Sequence, residues 1–107
     1  MKDIIQIKEK SIRAQLSVTV EPIDTTGFIG HIPSFDIPFT SPSEDKAHEM
    51  ARGLIKALFA KWLTMGGIAL FEQKLTENKF YKSPSHLTYE HVVTTKSFQI
   101  QEEFDVV

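Results

Sequence analysis

The stretch that decides the fold is residues 27–67, GFIGHIPSFDIPFTSPSEDKAHEMARGLIKALFAKWLTMGG. It begins with two short apolar runs on either side of a His-Ile-Pro-Ser turn and continues as a long helical pattern. Residues 28–32 alternate between two faces and predict a strand. Residues 35–39 alternate again and predict another, short strand. Pro38 has no N–H to donate, which places this strand at a sheet edge.

The helix that follows has a clear predicted start and a clear predicted end. Ser41 is the predicted N-cap, with Pro42 at the first helical position and Glu44 at the third. Apolar residues at three- and four-residue steps then form a stripe suited to cover a sheet. They are Ala47, Met50, Ala51, Leu54, Ile55, Leu58, Phe59, Trp62 and Leu63. The glycine pair at residues 66–67 is predicted to end the helix.

Alternation outside this stretch predicts further strands. Residues 12–20 alternate apolar and polar side chains, an earlier short strand is centred on residues 4–7, and residues 22–27 form a turn. Residues 68–79 predict a short second helix, and residues 89–95 and 98–106 predict strands. The predicted fold class is α+β: an antiparallel three- to four-stranded sheet covered by one long amphipathic helix (a β-β-β-α core), with a short second helix and C-terminal strands.

Composition narrows the class of protein. A chain of 107 residues predicts a single domain, 1–107, with a C-terminal extension from about residue 68. The net charge of −2 and the pI near 6.1 disfavour nucleic-acid binding. The absence of cysteine excludes disulfides and thiolate metal sites. With no signal-peptide pattern and no apolar run of membrane-span length, the sequence predicts a cytoplasmic protein without a membrane partner.

The sequence carries no motif that requires catalysis. Glycine-rich phosphate loops, GxSxG and HExxH are absent. The four histidines, His31, His48, His86 and His91, are interpreted as surface residues and not as a metal site. The Glu44–Asp45 pair is explained by the helix start, where the dipole favours negative charge. The prediction is therefore a non-enzyme with no catalytic residue, metal or cofactor.

The order of elements in residues 12–65 resembles the HicB-like antitoxin family. The residues that carry the resemblance match the family's glycine-aromatic strand, its proline segment and its helix start: Gly27, Phe28, Ile29, Ile32, Pro33, Phe35, Pro38, Ser41, Glu44, Ala47 and Ala51. Two departures stand out. Phe39 and Thr40 replace the family's Gly-Cys, and the acidic residue follows the aromatic, as Phe35-Asp36. Residues 82–107 show no DNA-binding module.

The resemblance implies a partial ribonuclease-H-like fold that oligomerises and masks a toxin ribonuclease. The expected partners are a second copy of the chain, in a homodimer or larger homo-oligomer, and a small basic toxin protein. We predict that the strand at residues 28–32 and the turn after it contact the partner. The predicted contact residues are Ile29, His31, Ser34, Phe35 and Asp36.

Other interpretations stay open at this stage. A ligand-binding or enzymatic domain would use His31, His48 or Glu49 in a pocket between sheet and helix. An orphan relative would keep the HicB-like fold with a changed partner. Gly53, Ala57 and Ala60 form a small-residue side of the helix that would permit close approach of another element.

Overall fold

A computed structural model describes residues 2–9, 11–83, 88–93 and 98–105, and these form seven strands and one helix. The elements are β1 (Lys2–Ile7), β2 (Ser11–Ile23), β3 (Gly27–Ile32), β4 (Ile37–Ser41), α1 (Glu44–Glu77), β5 (Tyr81–Lys82), β6 (Thr88–Val92) and β7 (Phe98–Asp105). The predicted α+β class is confirmed. The predicted count of three to four strands is wrong, because the segments at both ends of the chain join the same sheet.

The sheet is organised around the long strand β2. Neighbouring strands follow the order β4-β3-β2-β1-β6-β5, and β7 also pairs with β2. β1 pairs along Ile12–Gln15 and β7 along Ser11–Val18, so these two strands lie on opposite edges of β2. β3 pairs further along, over Thr19–Ile23. All the pairings are antiparallel, and β4 lies at the end of the order, as Pro38 predicts.

The helix begins two residues later than predicted. Its N-cap is Ser43, whose side chain accepts a hydrogen bond from the Lys46 N–H at 3.1 Å. Ser41 is the last residue of β4 instead, and its hydroxyl donates to the Ser43 carbonyl at 2.7 Å. The serine that reaches a free N–H of the first turn is the one that caps the helix. Pro42 therefore precedes the cap.

The regular helix is interrupted at Gly67, where the glycine pair predicted its end, but the separate short second helix is not matched. α1 continues as one element of 34 residues to Glu77, with a kink at Gly67. Gly67 has φ 66° and ψ −158°, a conformation that is accessible almost only to glycine. Gly67 breaks the regular helical geometry, and Phe71 and Leu75 beyond the kink are fully buried against the same core.

Alanine at Gly53 and at Gly67, two of the three glycines of α1, should shift stability in opposite directions. A Cβ added at Gly53 or at Gly67 meets nothing within 4 Å, so neither substitution causes a clash. Gly53→Ala should stabilise by about 0.5–1 kcal/mol, because it removes backbone freedom from the unfolded chain. Gly67→Ala should destabilise by about 1–3 kcal/mol, because alanine is strained at this dihedral pair. Urea unfolding of both variants measures the difference, and two changes of the same sign would contradict the kink.

The core lies between α1 and one face of the sheet. Its centre is a group of aromatic side chains from the 3₁₀ turn Pro33–Phe35, from α1 and from the residue before β5. They are Phe35, Phe59, Trp62, Phe71 and Phe80. Alternate residues of β2, including Leu16 and Val18, form the floor beneath this group. The opposite face of β2 carries polar residues such as Arg13 and Glu21, so the helix covers one face only.

Gly30 has a packing role that its small size makes possible. It lies opposite Phe39 in the β3–β4 pair, and an added Cβ would fall 2.2 Å from the Phe39 ring. The ring therefore occupies the space above Gly30 and restores the apolar cover that a glycine in a strand lacks.

Some predicted positions lie outside the described residues. His86 and Val106 are among them, as are the side chains of Phe98, Glu102 and Phe104.

Candidate functional site

Three of the five predicted contact residues lie on one surface beside the 3₁₀ turn. Ile29 is 49% exposed on the sheet face that points away from α1. The His31 Nε2 atom lies 2.8 Å from Asp36 Oδ1. Asp36 follows the turn with φ 52°, and its side chain is 94% exposed. This surface, defined by Ile29, His31 and Asp36, is called the turn surface.

The other two predicted contact residues, Ser34 and Phe35, point inwards. Ser34 is 4% exposed. The Phe35 ring stacks on Phe80 at a centroid distance of 5.5 Å and meets Phe59 edge-on at 5.7 Å. The chain winds as a 3₁₀ turn at Pro33–Phe35, so these residues do not continue the strand alternation on which the prediction relied. Phe35 anchors the turn to the core.

Ser34 belongs to a buried polar cluster that the sequence did not reveal. Its centre is Asp3, which is fully buried. Asp3 Oδ1 accepts the Ser17 N–H at 2.8 Å and also the Ser17 hydroxyl. Asp3 Oδ2 accepts the Ser34 hydroxyl, and Ser34 Oγ lies 2.9 Å from Nδ1 of His91. Three donors thus compensate for the removal of this carboxylate from water.

The direction of these hydrogen bonds sets the tautomer of His91. An ionised carboxylate only accepts, so the single hydroxyl hydrogen of Ser34 is used on Asp3. Ser34 Oγ must then accept from His91, whose Nδ1 carries the proton. In the neutral ring Nε2 is consequently an acceptor. Nε2 has no hydrogen-bond partner among the described residues, and it is not fully buried.

The strand register explains why Asp3 reaches this cluster. Asp3 pairs with His91 in the β1–β6 ladder, so both side chains lie on the same face. The ladder between β1 and β2 ends at the Ile4–Gln15 pair, and pairing with β3 begins at Thr19. The Asp3 carboxylate binds the Ser17 N–H in the interval between them. The sequence held one sign that Asp3 is buried: it lies two and four residues before Ile5 and Ile7, so all three side chains point to the same face of β1.

A shallow depression of about 480 Å³ lies at the β5 edge of the sheet beside His91. It is lined by Lys2, Lys79, Tyr81, Lys82, Ser83, Glu90, His91 and Val92, and is called the lysine groove. Three lysines and one glutamate line it, so its formal charge is +2 with His91 neutral, whereas the whole chain has −2. Lys2 pairs with Glu90 at 3.5 Å. Among the described residues, no ion pair engages Lys79 or Lys82.

Two titratable groups have perturbed pKa values outside this cluster. Burial, the negative charge of Glu72 and a hydrogen bond to it raise the pKa of Tyr89. This contact joins β6 to α1, because Glu72 is on the helix. The hydroxyl and the N–H of Thr26 hold the pKa of Asp24 below its usual value in the turn between β2 and β3. Both groups support local structure.

The alternative pocket between sheet and helix, predicted to use His31, His48 or Glu49, stays a prediction. His31 is on the sheet face away from α1, where it meets Asp36, whereas Glu49 is an exposed helix residue that pairs with Lys46 at 3.4 Å. Within the described residues, no three His, Asp or Glu side chains converge on a point where a metal ion would bind.

Comparisons of the chain with protein-family models, with curated proteins and with solved structures returned no match. The HicB-like resemblance therefore stays a prediction that is carried by the glycine-aromatic strand, the proline segment and the helix start.

Proposed function

We propose that this protein is a non-enzymatic, HicB-like interaction module that self-associates and masks a protein partner. In the family that it resembles, the partner is a small basic toxin ribonuclease. Self-association uses the exposed small and apolar residues of α1, which lie among Arg52, Lys56 and Lys61, and the partner binds at the turn surface. The protein acts by covering its partner, so the proposal requires no catalytic group.

The exposure of α1 is the observation that carries the proposal. By length and composition alone this helix would pass for a membrane span, because it contains a stretch of 18 residues that is apolar enough to cross one. Only 22% of this apolar stretch is buried inside the protein. Met65 is 68% exposed, and the small residues Gly53, Ala57 and Ala60 are exposed on the same helix. Small exposed residues let another backbone approach closely, and exposed apolar side chains such as Met65 favour a contact that covers them.

The turn surface has features that suit a second, distinct contact. Ile29 offers an exposed apolar side chain, and Asp36 offers an exposed carboxylate beside it. A negative charge at this position favours a basic partner, as electrostatic complementarity requires. Phe35 fixes the turn to the core, which keeps the surface pre-formed and lowers the cost of ordering it on binding.

Sedimentation velocity tests the self-association. The wild-type chain should sediment as a dimer, and Met65→Glu should sediment as a folded monomer, because a buried unpaired charge opposes the interface. Thr25→Glu, in the exposed turn between β2 and β3, is the matched control and should remain dimeric. Circular dichroism checks that the variants are folded. A wild-type chain that stays monomeric at high concentration would refute this part of the proposal.

A variant of the turn surface, Ile29→Asp, separates the partner surface from the dimer surface. Tagged wild-type protein and Thr25→Glu should co-purify one small basic protein from native cells, and Ile29→Asp should lose it while remaining dimeric. Phe35 is unsuitable for this test because its loss would disturb the core. Recovery of the same partner with Ile29→Asp would remove the turn surface from the proposal.

A further inference from the structure

The bend in α1 at Gly66 and Gly67 divides the described chain into two parts. The part before the bend, called the body, holds β1 to β4 and the first stretch of α1. The part after it, called the arm, holds residues 68–77 of α1 together with β5, β6 and β7. The backbone passes from the body to the arm through these two glycines, so a change in their dihedral angles moves the whole arm.

The bent conformation requires both glycines, each for its own reason. Gly67 has φ 66° and ψ −158°, which strains any residue with a side chain. A Cβ added to Gly66 would lie 2.5 Å from the Leu70 Cβ, which is a clash. In a regular helix the Cβ atoms of residues four apart are separated by about 5–6 Å, so this clash belongs to the bend. Alanine at both positions therefore opposes the bend and favours a straight helix.

A straight α1 does not fit on its own sheet. At about 1.5 Å per residue its 34 residues would span about 51 Å, whereas the longest dimension of the folded chain is 45 Å. Straightening therefore carries the arm past the edge of the sheet. Phe71 and Leu75 would leave the core in which they are fully buried, and β6 and β7 would separate from β1 and β2.

The contacts between the arm and the body are too extensive to stay open in water. The Phe71 ring lies 4.8 Å from Phe59, and the Phe80 ring stacks on Phe35 at 5.5 Å, measured between centroids. Strand pairing adds the β1–β6 and β2–β7 ladders. A second copy of this chain offers the same residues, so two straightened chains restore all of these contacts by exchanging arms.

We propose that this chain exchanges its arm with a second copy, and that the bend at Gly66 and Gly67 favours the closed form, in which each arm packs on its own body. In the exchanged dimer α1 is straight, and the hydrogen bond between Ser34 and His91 joins two chains. Self-association through the exposed residues of α1 leaves every arm on its own body. The inference is therefore independent of the proposed function.

A cysteine pair reports which body each arm packs on. Lys2 of the body and Val92 of the arm lie opposite each other in the β1–β6 ladder, and both are exposed. The chain has no natural cysteine. After mild oxidation, Lys2→Cys with Val92→Cys should run as single chains on a non-reducing denaturing gel. With Gly66→Ala and Gly67→Ala added, the pair should give covalent dimers. The dimerisation constant should rise about a hundredfold or more, because both chains of the dimer lose the strain of the bend.

Two matched controls isolate the bend. Gly53→Ala adds the same methyl group to a regular part of α1, where it meets no neighbour, and should leave the Lys2 and Val92 cysteine pair within single chains. Cysteines at Ile29 and Thr40, which face each other within the body, should bond within one chain in every background. Covalent dimers of this second pair, or equal dimer formation with Gly53→Ala, would overturn the proposal.

The folding of the double alanine variant decides which measurement is final. If circular dichroism shows that it is folded, single chains alone on the gel would overturn the proposal. If it does not fold, the cysteine pair is tested with both glycines in place. That protein is held in urea at its unfolding midpoint, refolded at two protein concentrations and then oxidised. The share of covalent dimers should rise with concentration, and a share that does not rise would overturn the exchange.

Discussion

Asparagine in place of Asp3 should reverse the hydrogen bonds that run from Asp3 through Ser34 to His91. The backbone N–H of Ser17 is a fixed donor, so the amide oxygen of the new side chain must stay on that side. The amide NH₂ then faces Ser34 and donates to its oxygen. The Ser34 hydroxyl hydrogen must turn to Nδ1 of His91. The imidazole changes tautomer, and its proton moves to Nε2.

The nitrogen chemical shifts of the His91 ring report this change directly. In the wild type Nδ1 should have the shift of a protonated nitrogen, and in Asp3→Asn that shift should appear at Nε2. The matched control is Asp36→Asn, which alters an exposed carboxylate beside a different histidine, His31. It should leave the His91 ring unchanged. The same Nε2 acceptor in Asp3→Asn and in the wild type would contradict the assigned bond directions.

The Asp3 variant should also be less stable. The wild-type carboxylate accepts three hydrogen bonds in a fully buried position, and a hydrogen bond to a charged group contributes about 1.5–3 kcal/mol. Asparagine retains the shape and most of the bonds, so we expect a loss of about 2 kcal/mol from the free energy of unfolding. Urea denaturation measures it against Asp36→Asn, which should change stability by less than about 0.5 kcal/mol.

Phe59→Ala should cause the largest loss of stability among simple substitutions in this chain. Phe59 is fully buried, and its ring lies 4.8 Å from Phe71, 5.7 Å from Phe35 and 5.8 Å from Trp62, measured between centroids. Removal of the ring loses its burial and leaves a cavity among large neighbours that cannot close fully. We expect a loss of about 3–5 kcal/mol. Equilibrium unfolding in urea measures it.

Tyr81→Ala is the matched control for that experiment. It removes an aromatic ring of similar size that is 73% exposed, and it should change the free energy of unfolding by less than about 0.5 kcal/mol. A loss below about 1.5 kcal/mol for Phe59→Ala would mean that the aromatic group is not the centre of the core. The Phe59 variant should also loosen the turn surface, because Phe35 then loses one of the rings that anchor it.

Ser34 connects the 3₁₀ turn beside the turn surface with the buried polar cluster around Asp3. It lies in the 3₁₀ turn that precedes Asp36, and its hydroxyl forms the link between Asp3 and His91. Ser34→Ala would remove this link without changing the charge of either region. The segment that resembles a HicB-like proline turn is thus joined to β1 and β6 by buried hydrogen bonds, and not only by packing of Phe35.

The sequence by itself determined the elements whose signals are local. The alternation in residues 12–20, the strands on either side of the Pro33 turn and the edge position of Pro38 are all present in the structure. The apolar stripe of the helix also correctly located Ile55, Phe59 and Trp62 in the core. Each signal depends on residues at most four positions apart, which is the range over which a strand or helix repeats.

Tertiary structure decided the continuation of α1 beyond the glycine pair. Glycines often end a helix, so the local signal predicted a stop. The helix continues because Phe71 and Leu75 are buried on the far side of the kink, and the burial of each such side chain contributes about 1.5–3 kcal/mol.

Only the tertiary structure assembled the polar cluster and the lysine groove. Asp3 meets Ser17 and Ser34, which are 14 and 31 residues away along the chain, and Ser34 meets His91 across 57 residues. These contacts follow from how β1, β2 and β6 pair, and strand pairing over such separations has no local sequence period. The parity of Asp3 placed its side chain on the core face, but the hydroxyl and N–H donors that make a buried carboxylate tolerable there come from two distant segments, at Ser17 and Ser34.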